Sequence, residues 1–170
     1  MIWPFKPRMT VDHLASVFAR AIEDSSLVYH EAFLSHAAEN LKEIDADAIK
    51  SEAWIMEMFL LSNVAEEIGA PVLVKSKLLP MVLVGYAPLD NEWYLSREEF
   101  YRSKLQGKHS GDQQSLLSSA LIEAIRVEFK TTRIDVNEKA LQWAISLVIG
   151  SSKDGISSLL NSVISKYRII

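Results

Sequence analysis

The chain has 170 residues, a formal net charge of −4 at pH 7 and no cysteine. Its length suits one domain, and a domain of this size buries enough surface to fold without disulfides or a structural metal. The missing cysteines exclude disulfides, thiolate chemistry and cysteine-bound metals, and they fit a reducing compartment, so we expect a cytoplasmic protein. The acidic balance argues against general nucleic-acid binding.

Residues 1–9 are expected to form an N-terminal arm. The arm has neither the long apolar segment nor the small-residue cleavage site of a signal peptide. Its Trp3 and Phe5 stand beside two cationic residues, and such a combination binds a membrane surface only weakly and reversibly. We favour packing of Trp3 or Phe5 on the domain's own surface, and weak peripheral membrane contact stays open as the alternative.

Apolar residues at helical spacing predict two helices after the arm. Thr10 can cap the first, over about 11–24, because its hydroxyl can accept from a free N–H of the first turn. Two serines at 25–26 are expected to mark a break or a cap before a second helix over about 27–44. His30 falls on the apolar side of that second helix, where a histidine is most often an ordinary core residue.

The stretch 48–68 is predicted to form the helix around which the other helices pack. One stripe of apolar residues at helical spacing consists of Trp54, Met58, Leu61, Ala65 and Ile68. Other apolar residues lie on the opposite side, so the helix is apolar nearly all round over 53–61, as expected for burial among neighbours. A membrane span needs about 20 apolar residues, far more than this run provides, so no transmembrane helix is predicted. Gly69 and Pro71 are expected to end the helix.

Glu57 projects into the apolar arc of this central helix. A buried carboxylate is costly, so it must be paired, hydrogen-bonded, protonated or close to an edge. The simpler interpretation is a structural ion pair or a rim position. The sharper hypothesis makes Glu57 and His30 the polar anchors of a ligand, although nothing in the sequence requires these two side chains to touch.

The stretch 71–88 has the least clear pattern. Its three prolines interrupt two apolar runs that contain β-branched residues. We expect short helical turns or extended crossing segments there, with a two-stranded hairpin as the alternative.

Aromatic residues then crowd together over 86–101, next to several arginines and lysines. Ser96 and Glu99 have the spacing of a capping box, which predicts a helix over about 97–106. Aromatic side chains and arginine are the residues that protein-binding hot spots prefer. The candidate partner-binding residues are therefore Trp93, Tyr94, Arg97, Tyr101 and Arg102. For these residues we favour the interpretation in which the rings fill the core while the cations face solvent, and partner binding is the alternative.

Residues 107–114 are polar, include two glycines and predict a mobile loop. Apolar periodicity predicts three helices after this loop, over about 115–130, over about 136–150 and from Asp154 to about 167. The first of these, around Leu121, covers a wide apolar arc and should be buried on two sides.

Together these elements predict an all-α fold, a single compact domain over 1–170 with about six or seven helices. The helix around Trp54 and the helix around Leu121 are expected to be its two central apolar helices. Short connections favour antiparallel neighbours, whereas the crossing stretch over 71–95 fits a plain four-helix bundle poorly.

The sequence lacks the motifs of common catalytic and cofactor sites. It has no His-Glu-x-x-His or Glu-x-x-His, no Gly-x-Ser-x-Gly elbow and neither common glycine-rich phosphate loop. Its four histidines would need ligands from several helices to assemble a metal site. We therefore predict no catalytic residue, no cofactor and no bound metal.

Three functional hypotheses follow. The favoured one, which rests on the missing motifs and on the stretch 86–104, is a non-catalytic protein-interaction module. Its partner is an unknown protein or a second copy of the chain, because wide apolar arcs also predict a homodimer. The second hypothesis is a small-molecule-binding domain with an apolar pocket between helices, anchored by Glu57 and His30. The third, ranked lowest, is an enzyme of unrecognised type that uses the same two residues.

Overall fold

Helices dominate the structure, which is a computed structural model that describes residues 6–36, 46–84, 91–107, 112–128 and 138–170. The described residues form six helices, α1 Val11–His36, α2 Ala46–Glu67, α3 71–84, α4 Asn91–Leu105, α5 Gln113–Glu128 and α6 Glu138–Lys166. These helices pack in one compact domain, which confirms the all-α prediction. In the described part of the chain, none of them is apolar over enough residues to cross a lipid bilayer.

α2 lies at the centre of the domain, as its sequence predicts. It contacts each of the other five described helices, because a helix that is apolar on nearly every side needs a neighbour on each. All side chains over 52–62 are buried. The chain turns at Gly69, whose φ of 75° lets the Ala70 N–H donate to the Ala65 carbonyl at 2.8 Å.

α5 is the second helix that buries a wide apolar face, as predicted for the sequence around Leu121. It packs against α2, α4 and α6. Its core side chains are Leu117, Ala120, Leu121, Ile122, Ala124 and Ile125.

α1 runs without interruption through its two adjacent serines, so the predicted break there is wrong. Serine favours helix ends because its hydroxyl competes for backbone groups. Here the Ser26 hydroxyl donates to the Glu23 carbonyl at 2.7 Å within the helix, and the Ser25 hydroxyl donates to a side chain of α2. Buried residues on both sides of the pair, Ile22 and Tyr29, pack one continuous helix onto the core.

The stretch 71–84 is helical throughout, so the hairpin alternative is wrong. It begins as α-helix over Pro71–Leu73, widens into a π-helical turn over Val74–Leu78 and returns to α-helix over Leu79–Val84. Pro80 has no N–H to donate to the carbonyl four residues before it. The π-helical turn lies just before Pro80, where this backbone hydrogen bond is missing. The helix therefore continues through Pro80.

α4 begins at Asn91, before the predicted capping box, so Ser96 is an exposed residue inside the helix. The interpretation of Ser96 as a cap is therefore wrong. The helix extends toward its N-terminus because Tyr94 and Tyr101, seven residues apart on one face, are both buried.

α6 continues from Glu138 to Lys166, so the predicted division between Gly150 and Asp154 is wrong. Gly150 is buried inside the helix, and a Cβ there would come within 2.9 Å of the Gln114 side chain. The glycine therefore permits a close approach of α5 and does not end a helix.

The two ends of the described chain meet in a short parallel strand pair, β1 Arg8–Met9 and β2 Arg168–Ile169. The Val11 N–H extends this pairing by donating to the Ile170 carbonyl at 3.1 Å. Part of the predicted N-terminal arm is thus hydrogen-bonded to the chain beyond α6. No local pattern in the sequence predicts this contact.

Several predictions fall on parts of the chain outside the described residues. Trp3 and Phe5 precede the first described residue, and the predicted second helix continues into 37–45. The predicted mobile loop includes 108–111, which also lies outside the described ranges.

Candidate functional site

Two buried carboxylates on α2 interrupt the apolar core. Glu52 and Glu57 are each only 2% exposed, although removing an ionised carboxylate from water is costly. Five residues along an α-helix correspond to a rotation of about 140°, so the two side chains face different neighbours. The role of each carboxylate therefore depends on the groups that it meets.

Glu52 faces α4 and is held by two side chains of that helix. The Tyr101 hydroxyl donates to Glu52 Oε1 at 2.5 Å, and Arg97 Nε lies 3.3 Å from Glu52 Oε2. Burial, followed by the charge of Glu52, raises the pKa of Tyr101, so the phenol keeps its proton and remains a donor. The Arg97 guanidinium also lies over the Trp93 ring, 5.9 Å from its centroid. Glu52 thus belongs to a buried ion pair that holds α4 against α2.

Glu57 faces α1 and α6, and within the described ranges its polar neighbours are hydroxyl groups. The Ser25 hydroxyl donates to Glu57 Oε1 at 3.0 Å, and the Ser25 and Ser152 hydroxyl oxygens are 2.9 Å apart. Tyr29, one turn beyond Ser25 on α1, is fully buried, and its hydroxyl acts on the same carboxylate. No cationic side chain of the described residues contributes to the electrostatics of Glu57.

The pKa of Glu57 is raised above its ordinary value, and burial is the main cause. The nearby hydroxyl groups of Ser152, Tyr29 and Ser25 oppose this rise in pKa, because their dipoles stabilise the ionised carboxylate. Burial and the nearby Glu57 charge in turn raise the pKa of Tyr29, so its phenol stays protonated. The Glu57 carboxyl is therefore a weaker acid than a solvated glutamate.

Glu57 forms part of the wall of a cavity between α1, α2 and α6, with a volume of about 240 Å³. We call it the Glu57 cavity. Its apolar walls include Phe18, Ile22, Ile156 and Leu159. Ala21 and Gly155 also line it and are exposed, and a Cβ on Gly155 would have no other atom within 4 Å. Small residues at this edge therefore leave the cavity open to solvent.

A second hollow, of about 380 Å³, shares Ser25 and Ser152 with the Glu57 cavity. It lies between α1 and α6, and we call it the α1–α6 groove. Its apolar surface comes from Val28, Leu147 and Val148. The serine pair thus stands where an apolar groove meets a cavity that has a carboxylate in its wall.

Of the two predicted ligand anchors, the structure places only Glu57 at the cavity. His30 is half-buried on α1 and lines neither the Glu57 cavity nor the α1–α6 groove. The α1 residues that act on the carboxylate are Ser25 and Tyr29, the latter next to His30 in sequence. Sequence reasoning also misses Ser25 and Ser152. Ser25 and Tyr29 are four residues apart and share a helical face, a signal that is visible only if α1 is taken as unbroken.

The five predicted partner-binding residues all lie on α4, namely Trp93, Tyr94, Arg97, Tyr101 and Arg102. Tyr94 and Tyr101 are 3% and 0% exposed, so burial removes both rings from any partner surface in this structure. Arg102 keeps partial exposure and is paired with Glu98 at 2.9 Å and with Glu66 at 3.6 Å. These side chains therefore do not form one exposed aromatic patch.

The described residues contain no group of three or more histidine, aspartate or glutamate side chains that could hold a metal ion. Comparisons of the chain with protein-family models, with curated proteins and with solved structures found no match. Within the described residues, the Glu57 cavity joins apolar walls to a buried carboxylate, which makes it a candidate binding site.

Proposed function

We propose that the protein binds a small, largely apolar ligand in the Glu57 cavity, with Glu57 as its polar anchor. The observation that supports this function is a buried carboxylate in the wall of an open apolar cavity. Ligand sites commonly combine apolar walls with a few polar groups that orient the bound molecule. A carboxyl group whose pKa is raised by burial, and which lines a cleft, is also typical of functional sites.

The volume of the cavity indicates the size of the ligand. An apolar cavity of about 150 Å³ holds benzene, and drug-sized molecules occupy pockets of about 300–1,000 Å³. At about 240 Å³, the Glu57 cavity suits a molecule somewhat larger than one benzene ring. A longer ligand would extend past Ser25 and Ser152 into the α1–α6 groove.

A thermal-shift screen of small apolar compounds tests this function. A ligand at 100 times its Kd stabilises the folded state by about 2.7 kcal/mol, which raises the Tm of a chain of this size by roughly 5–10 °C. Gly155→Leu is the blocking variant, because the residue lines the cavity and has open space beyond its Cα. Ser158→Leu is the matched control, because it adds the same side chain at an exposed position of α6.

Ligand binding should persist in Ser158→Leu and be lost in Gly155→Leu, while circular dichroism shows that both variants keep their helices. A broad library without any binder would contradict the proposal. So would a ligand whose affinity is unchanged by Gly155→Leu.

Protein binding is a second candidate function, and exposed residues of α6 favour it. Trp143 and Leu147 are 65% and 51% exposed and stand four residues apart on one face. Exposed apolar side chains grouped on one face are typical of contacts with another protein. Sedimentation equilibrium tests a second copy as the partner, with dimers expected for the wild type and fewer for Trp143→Ser. A wild type that stays monomeric at high concentration would exclude the homodimer.

A further inference from the structure

We infer that the ligand of the Glu57 cavity is an organic cation, an amine or amidine with an apolar body, whose charged group pairs with the Glu57 carboxylate. This inference rests on the proposed function and adds the chemical class of the ligand. It follows from the charge balance of the site, from the acceptor positions of the carboxylate and from the apolar walls.

The charge balance of Glu57 differs from that of the other buried carboxylate. Glu52 has the Arg97 guanidinium within 3.3 Å. Glu57 is equally buried on the same helix, but in the described part of the chain it is approached by hydroxyl groups and by no cation. A cationic ligand would supply the missing positive charge beside a carboxylate that is only 2% exposed, where water screens the attraction less than at the protein surface.

The titratable groups around Glu57 do not supply this charge. Tyr29 of α1 acts on Glu57 as a neutral phenol, because burial and the carboxylate raise its pKa. On α6, Lys153 follows Ser152 in sequence, and its ammonium pairs with Glu67 at 2.7 Å. Neither Tyr29 nor Lys153 therefore supplies a positive charge to Glu57.

The hydroxyl groups leave acceptor positions of the carboxylate unused. Ser25 and Ser152 have one hydroxyl proton each, and the contact of 2.9 Å between them uses one of the two. Whichever serine donates in that contact, the pair has one proton left for Glu57, and the Tyr29 hydroxyl acts on the carboxylate without a hydrogen bond of ordinary length. A carboxylate has about four acceptor positions, so about two or more remain for the N–H groups of an ammonium or amidinium.

The walls of the cavity suit an organic cation better than a metal ion. Ca²⁺ and Mg²⁺ take about six or more oxygen ligands, whereas the described lining offers mainly Phe18, Ile22, Ile156 and Leu159 beside its few oxygens. Burial of a ligand's apolar surface against these walls contributes a binding free energy of about 25 cal/mol per Å². The positive charge must therefore belong to a molecule with an apolar body, such as an arylalkylamine.

Three probes with the same ring and different charge test this inference, namely benzylamine, benzyl alcohol and benzoate. Wild-type protein should bind benzylamine about 10-fold or more tightly than benzyl alcohol, because a hydrogen bond to a charged group contributes about 1.5–3 kcal/mol. Benzoate should bind most weakly. Affinities are measured by NMR titration at neutral pH, after the Tm and circular dichroism of each variant establish that it is folded.

Glu57→Gln keeps the shape of the side chain and removes its charge, so it should bind benzylamine and benzyl alcohol equally. Glu52→Gln is the control, because it makes the same change outside the cavity and should keep the preference for the amine. Benzylamine affinity should also rise with pH and then level off, because the carboxyl must lose its proton to form the ion pair and burial raises its pKa.

Equal affinity of the wild type for the amine and the alcohol would overturn the inference, as would an amine preference that survives Glu57→Gln. Stronger binding of benzyl alcohol at low pH would also overturn the inference. In that case the protonated Glu57 carboxyl would donate its O–H to a neutral hydrogen-bond acceptor on the ligand. In each of these cases, loss of binding in Gly155→Leu leaves the proposed function standing. If none of the three probes binds, the inference of a cationic ligand fails, and the thermal-shift screen of the broad library decides separately whether the cavity binds a ligand.

Discussion

Glu52 and Glu57 are the same residue type, lie on one helix and are buried to the same extent, but their surroundings differ in charge. Glu52 pairs with the Arg97 guanidinium and accepts a hydrogen bond from the Tyr101 hydroxyl, both on α4. The neighbours of Glu57 are hydroxyl groups of α1 and α6, and its carboxylate borders a cavity. Burial alone therefore does not indicate what a carboxylate does, because its neighbours decide whether the charge is compensated.

The comparison separates a structural carboxylate from a candidate binding group. At Glu52 the protein supplies both the countercharge and a donor, so the site is complete without a ligand. At Glu57 the described residues supply donors only, and the pKa is raised by burial. An ionised Glu57 is thus held at a cost in folding free energy that a bound cation would offset.

The largest expected effect is a loss of stability on Glu52→Gln. The substitution removes one charge of a buried ion pair, and breaking such a pair costs about 3–5 kcal/mol. We expect about 3 kcal/mol, because the Arg97 side chain keeps 14% exposure and glutamine still accepts from Tyr101. Urea unfolding at neutral pH measures the change. A loss of less than about 1 kcal/mol, the range of exposed pairs, would remove the distinction between the two sites.

The two buried tyrosines give a second, smaller contrast. Tyr101→Phe removes a donor to the Glu52 carboxylate and should cost about 2 kcal/mol, within the range for hydrogen bonds to charged groups. Tyr29→Phe removes a hydroxyl that makes no hydrogen bond of ordinary length to the described residues, so it should change stability by less than about 0.5 kcal/mol. Equal losses of unfolding free energy in the two variants would contradict the assigned roles.

The expected effect of opposite sign is a gain in stability on Glu57→Gln. Above the pKa of Glu57, the variant no longer buries an uncompensated charge, and we expect about 1 kcal/mol, or roughly 2–4 °C in Tm. A loss of stability at neutral pH would show that the ionised carboxylate is well compensated within the protein.

The pH dependence of stability sharpens this last prediction. Folding raises the pKa of Glu57, so the folded state holds the proton more tightly than the unfolded state does. The Glu57 contribution is therefore fully present below the ordinary pKa of glutamate and is lost as pH rises through the folded-state pKa. Across the acid to neutral range, the unfolding free energy of the wild type should therefore decline relative to that of Glu57→Gln, because the difference between the two removes the contributions of other carboxylates such as Glu66. An identical decline in both would assign it to another group.

Helical periodicity predicts the helices of this protein well, whereas single residues that commonly break or cap helices predict the helix ends poorly. The serines near residue 25, Ser96 and Gly150 all suggest breaks or caps, yet each lies inside a helix. A helix cap contributes about 1 kcal/mol, whereas burying one large apolar side chain contributes about 1.5–3 kcal/mol. Continuous apolar faces such as that of Tyr94 and Tyr101 therefore override the local signals.

Only part of the candidate site could be predicted. Glu57 is visible in the sequence because a carboxylate inside an apolar arc is a local pattern. Its partner Ser25 is 32 residues away, and Ser25 is 127 residues from Ser152. The choice between His30 and Tyr29 depends on a rotation of about 100° about the axis of α1, which only packing sets.

Periodicity along one helix is a local property, so the amino-acid pattern predicts a helical chain, an enclosed α2 and a carboxylate in the apolar surface of α2. Which carboxylate meets an arginine and which one borders a cavity depends on the packing of the helices. Countercharges and cavity walls come from other helices, and their positions follow from how all the apolar faces pack together.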